Sequence, residues 1–113
     1  MRFVASLVLA LLIGLMVPLS ANATDAVRGG QIFTTNCAAC HSGGGNIIKA
    51  ERTLREADLK AHLPNYLGGH ETAIVAQVAY GRHALPAVVD VLRESEIADV
   101  AAYVEEQSSQ GWS

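Results

Sequence analysis

The sequence is poor in basic residues, cysteines and strand patterns, and each lack excludes something. Lys and Arg number 8 against 11 Asp and Glu, so no basic excess exists to neutralise phosphates, and nucleic acid is an unlikely partner on charge alone. Only two cysteines occur, Cys37 and Cys40, too close together for a disulfide between them to brace a domain, because the loop they would close is tiny. No stretch shows sustained strand alternation between hairpin turns, and there is neither an internal repeat nor a low-complexity tract. The two methionines, Met1 and Met16, both lie in the first 23 residues, and residues 24–113 have none.

What is present begins with an apolar run. Arg2 precedes Phe3 to Leu19, and Ser20-Ala21-Asn22-Ala23 follows, with Ala21 and Ala23 as the small residues a signal peptidase requires. The run is short for a membrane span, contains Pro18 and ends without a charged stop. Residues 1–23 therefore read as a signal peptide cleaved after Ala23, with no membrane anchor left afterwards. A single Arg favours the general secretory route over a twin-arginine one. The remainder, 24–113, reads as one domain of formal charge −4. A chain this small struggles to bury enough apolar area unaided and usually needs a staple.

The local patterns are helical. Asp25 to Phe33 reads as a short helix capped by Thr24 or Asp25, although Gly29 and Gly30 each cost it about 1 kcal/mol relative to Ala. Such a pair makes sense where another helix crosses closely, and Gly29 and Phe33 are expected partners of Tyr103. Ser42 to Asn46 is a loop by composition. Thr53-Leu54-Arg55-Glu56 has capping-box spacing and predicts a helix from there to about Leu63, stopped by Pro64. Asn65 to His70 reads as a loop, Glu71 to Tyr80 as a helix ended by Gly81. In the last helix Ile97, Val100, Ala101 and Val104 recur on one face, with Glu94, Glu96, Asp99 and Glu105 expected to face water. The fold class is small and all-α.

Chemistry concentrates in Cys37-Ala38-Ala39-Cys40-His41. Two thiols at this spacing can add across the two vinyl groups of haem, and the next histidine then meets the iron from the same side. A thioredoxin-like pair would want a βαβ setting, which the pattern lacks. A structural zinc site would need a fourth ligand from His62, His70 or His83, and closed zinc sites usually draw on two ligand pairs. A plain disulfide is the remaining reading in an exported chain. Motif, export signal and helical pattern together point to one covalent haem c per chain, the staple that the small core requires.

The same residues carry a family resemblance. Gly30-Gln31-Ile32-Phe33, Asn36 to His41, Ile48-x-Ala50-Glu51-x-Thr53-Leu54, Gln77-Val78, Ala84-Leu85-Pro86-Ala87, Ile97 to Val104 and the terminal Gly111-Trp112 together resemble the cytochrome c6 family. The likeness covers nearly all of 25–113. It implies a class I cytochrome c fold of about four short helices around the haem. Cys37 and Cys40 would be the thioether positions, His41 the axial iron ligand, and Gln77 a residue near the haem that tunes its potential. The resemblance further implies a monomeric electron carrier rather than an enzyme, taking electrons from cytochrome f of the cytochrome b6f complex to photosystem I. Its place would be the thylakoid lumen or the periplasm.

One departure is chemical. The family's second axial ligand is a methionine followed by Pro; here that position is Leu85, which cannot bind iron. Loss of a thioether ligand should lower the potential. After Pro86-Ala87 the family's Phe-Gly-Gly-Arg is replaced by Val88-Val89-Asp90-Val91, so the loop is expected to follow another path. Ala76 replaces a family tyrosine, and Arg93 a serine that would cap the last helix, leaving Ser95 or Glu94 to help there. His83, two residues from Leu85, is a possible sixth ligand; His62 and His70 read as exposed surface imidazoles. The alternatives to a carrier are a low-potential or open-site haem protein that binds a small gas, and peroxidase chemistry, for which no acid/base arrangement beyond His83 is visible.

Overall fold

The computed structural model describes residues 24–81 and 92–112. The expected signal segment 1–23 lies outside them, as do His83, Leu85 and the rest of the altered loop. Among the described residues no strand occurs, and no helix is long and apolar enough to cross a membrane. The α-helices are α1 (Ala26–Asn36), the single turn α2 (Ala38–His41), α3 (Glu56–His62), α4 (His70–Tyr80) and α5 (Glu94–Gln110), with 3-10 turns at Ser42–Gly44 and Tyr66–Gly68.

The most extensive pairing is between α1 and α5. It is made possible by Gly29 and Gly30. A Cβ on Gly29 would overlap the carbonyl of Asp99, and one on Gly30 would lie 3.0 Å from the Tyr103 ring. The two glycines weaken α1 as an isolated helix and are repaid in contact, as expected. Phe33 then packs between the Tyr103 and Trp112 rings, at centroid separations of 5.3 and 5.4 Å. Leu59, Tyr66, Ala73, Ile74, Val100, Ala101 and Val104 complete the buried core with it.

Asp25 caps α1, accepting the Arg28 N–H at 3.0 Å. The expected exposure of Asp99 is wrong. It is 2% exposed, because the start of α1 docks onto it: its carboxylate accepts the Asp25 N–H at 2.8 Å and the Arg28 Nε–H at 2.7 Å. Helical periodicity places Asp99 on the polar side of α5, but it cannot foresee a second helix end arriving there. Glu105 is also misassigned to water. It accepts from the buried Tyr66 hydroxyl at 2.8 Å and pairs with His70 Nδ1 at 2.7 Å. His70 is consequently no free surface imidazole: its ring stacks on Tyr66 with 3.9 Å between centroids. Burial, and then the bond to Glu105, push the Tyr66 hydroxyl up to about 12.

Two helix starts also differ from expectation. The Thr53–Glu56 capping box does not form, since both the hydroxyl and the N–H of Thr53 donate to Asp58, and α3 begins only at Glu56. Glu56 instead pairs with Lys60 one turn on. At α5 neither Ser95 nor Glu94 caps; Glu96 reaches back to accept the Arg93 N–H at 3.0 Å. Gly81 ends α4 at φ 71°, a backbone angle that favours glycine.

Candidate haem site

The cysteine motif is held against the end of α1. Cys37 N–H donates to Phe33 O at 2.8 Å, and the following turn closes with His41 N–H to Cys37 O at 3.0 Å. Such a turn carries Cys37, Cys40 and His41 onto the wall of a single cavity of about 350 Å³. Gln77, from the inner face of α4, lines the same space. The apolar wall comes from Phe33, Leu54, Leu59, Ile74, Val78, Val100 and Val104. All four described positions singled out from sequence therefore meet in one place, while His83 and Leu85 fall outside the described residues.

His41 is oriented by the loop that follows it. Its Nδ1 lies 2.8 Å from the carbonyl of Gly45. A carbonyl only accepts, so Nδ1 carries a proton, which leaves Nε2 as the nitrogen placed to bind a metal. Gly44 permits this loop to close: at φ 79° it lies flat against the Trp112 indole, where a Cβ would come within about 2.5 Å of the ring. The Trp112 indole N–H donates to Leu54 O at 2.9 Å, and Leu54 N–H to Gly44 O at 2.7 Å, tying the C-terminus to the cavity wall.

Asn46 organises the opposite side. Its Oδ1 accepts the N–H groups of Ile48 and Lys49 at 3.0 and 2.9 Å, while its Nδ2 donates to Arg52 O at 2.9 Å. By composition Asn46 is only part of a loop; an Asn closing a Gly-rich stretch is the Asx-turn signal that marks it. Among the described residues, Lys49, Arg52, Asp58 and His62 are the ionisable ones beyond the cysteine motif that line the cavity, and they all come from this side. His62 is exposed, as expected, but it lies on the cavity rim, which the sequence did not indicate.

The donor set fits a covalent haem: two thiols and one imidazole with a free nitrogen beside a largely apolar wall, with Lys49 and Arg52 on the loop side suited to carboxylates. It does not fit an activated redox pair. Burial, reinforced by Cys40, pushes the Cys37 thiol up, opposite to the lowered value of an activated redox cysteine. Among the described residues no group of three or more His, Cys, Asp or Glu side chains is placed to hold a metal ion such as zinc.

Comparison with known proteins agrees. Residues 24–104 match the family model described as cytochrome c oxidase, cbb3-type, subunit III. Cytochrome c6 of Thermosynechococcus vestitus is 42% identical, over 98% of this chain and 96% of that protein. The chain belongs to the cytochrome c6 family. Within it, the protein from Bumilleriopsis filiformis is 48% identical over 78% of this chain and 98% of its own length. The crystal structure of cytochrome c6 from the diatom Phaeodactylum tricornutum superposes with a TM-score of 0.73 at 46% identity, covering 78% of this chain and 99% of that one. The all-α class I cytochrome c fold follows, and with it one covalently bound haem c and a role in electron transport with redox partners.

Proposed function

We propose that this cytochrome c6 relative carries single electrons from cytochrome f of the cytochrome b6f complex to photosystem I, after export and removal of residues 1–23, in the thylakoid lumen or periplasm. The observation that supports it most is the convergence of Cys37, Cys40 and His41 on one apolar cavity, with the His41 ring already fixed by Gly45. Cys37 and Cys40 would hold the haem through thioethers, His41 would bind its iron through Nε2, and Gln77 would lie beside it. When bound, haem supplies a one-electron couple at its iron. The chain's own residues do the rest. The Gly45 carbonyl holds the imidazole in one tautomer, Asn46 keeps the loop 46–52 closed, and the apolar wall excludes water. The carrier transforms no substrate, so it is not an enzyme. Ile47 and Ile48, 75% and 58% exposed beside the cysteine turn, offer a small apolar contact of the kind a brief encounter needs.

Leu85 gives the reading its sharpest test. Without a thioether at that position the potential should lie well below that of methionine-ligated relatives, and Leu85→Met should recover most of the difference. A wild-type potential as high as theirs would refute the ligand assignment. Carbon monoxide added to the ferrous protein at neutral pH reads the sixth position. Immediate binding favours an open iron and the gas-binding alternative. A low-spin spectrum that resists the gas favours closure by a protein ligand such as His83, and a carrier.

A further inference from the structure

We propose that His62 couples proton uptake to reduction of the haem, so that the protein's potential rises as pH falls through the histidine range. The inference rests on the reading of the cavity as the haem site and concerns a residue to which that reading gives no role.

Three observations carry it. His62 occupies the last turn of α3 and lines the cavity while remaining exposed, so its ring can exchange protons with solvent and still border the space a haem would fill. His70 is differently placed: it is stacked on Tyr66 and tied to Glu105, away from the cavity lining. Charged groups of both signs surround His62. Asp58 lies one turn earlier on α3, and Lys49 and Arg52 line the cavity from the neighbouring loop. Arg55, at the start of α3, acts on Asp58 together with His62. Asp58 is held below the usual carboxylate range, first by the Thr53 hydroxyl and N–H and further by His62 and Arg55, so it stays ionised throughout. Histidine is the ordinary side chain whose charge changes between about pH 5 and 8. Across an apolar cavity a new positive charge favours the form of the cofactor with one positive charge fewer, which is the reduced form.

The step balances. One electron arrives from the donor protein and His62 takes up from water, on average, at most about a quarter of a proton; on reoxidation the electron passes to the acceptor and that fraction returns. The expected linkage is a roughly threefold tighter hold on the proton in the ferrous than in the ferric protein. At 59 mV per tenfold for one electron, that is a rise of about 28 mV from high to low pH.

Spectroelectrochemical titration of the holoprotein from pH 5 to 8 tests it, beside His62→Gln, His62→Arg, His70→Gln and His83→Gln. Wild type and His70→Gln should slope, His62→Gln should be flat, and His62→Arg should be flat near the low-pH wild-type value. NMR titration of the His62 ring should give midpoints that differ between the ferrous and ferric states. A slope retained in His62→Gln overturns the proposal, and so does one abolished only by His83→Gln. A flat wild type with a reversible couple sinks the proposal and leaves the haem reading intact. A protein with no reversible couple sinks both.

Discussion

The crossing of α1 on α5 and the loop side of the cavity, residues 46–62, are built on different principles. The crossing is a close-packed contact: glycine backbones touch a facing helix, three aromatic rings interlock and one buried carboxylate gathers a helix start. The loop side is held by a few hydrogen bonds from Asn46, Thr53 and Asp58, and its side chains are largely polar. Dense packing tolerates almost no change in volume, whereas a hydrogen-bonded loop loses one bond at a time and can vary its charges. The arrangement pairs a rigid frame with an edge that is free to vary.

Substitutions should separate the two regions. The largest loss is expected from Gly29→Val, whose side chain would collide with the Asp99 backbone. Overpacking of this kind costs about 3 kcal/mol or more, so the urea midpoint of the holoprotein should fall steeply or the protein should fail to accumulate. Asp99→Ala comes next, leaving the Asp25 N–H without its acceptor and Arg28 without its partner. Loss of a buried partner can cost 3–5 kcal/mol, but Arg28 is half exposed and rehydrates, so about 2 kcal/mol is expected by the same denaturation. A loss from Asp99→Ala as large as that from Gly29→Val would mean that the carboxylate, not the packing, holds the crossing.

The smallest effect belongs to the loop side. The Asp58 carboxyl is lowered in the folded protein by Thr53, so the stability it adds is complete above the ordinary carboxylate pKa. That stability is lost as pH falls through the lowered folded value. Asp58→Asn should therefore flatten the acid side of the stability profile, read as urea midpoints from pH 6 down to pH 2, while leaving the α1–α5 crossing untouched. An unchanged acid limb would show that the Thr53 bonds do not persist in solution.

Much of this was readable in the residues themselves. Gly29-Gly30, Phe33 and Tyr103 announced a close crossing, and Cys37, Cys40, His41 and Gln77 do meet in one cavity. Legibility failed where a side chain's partner comes from a distant part of the chain. Asp99 looked solvated because its partners lie 74 and 71 residues away, and Glu105 because Tyr66 and His70 reach it from another helix and turn. The Thr53 capping signal was outbid locally by Asp58, a carboxylate two residues beyond the expected Glu56. His62 gave no periodic or spacing signal at all, since its place on the rim depends on how α3 is set against the loop 46–52.

The most direct test of the central assignment is a proteolytic digest of protein purified from cells able to attach haem. The account expects the peptide containing Cys37-Ala38-Ala39-Cys40-His41 to carry one haem through both sulfurs, with the colour resisting acid–acetone extraction. A colourless protein, a pigment that acid–acetone removes, or a haem carried by any other peptide would contradict it.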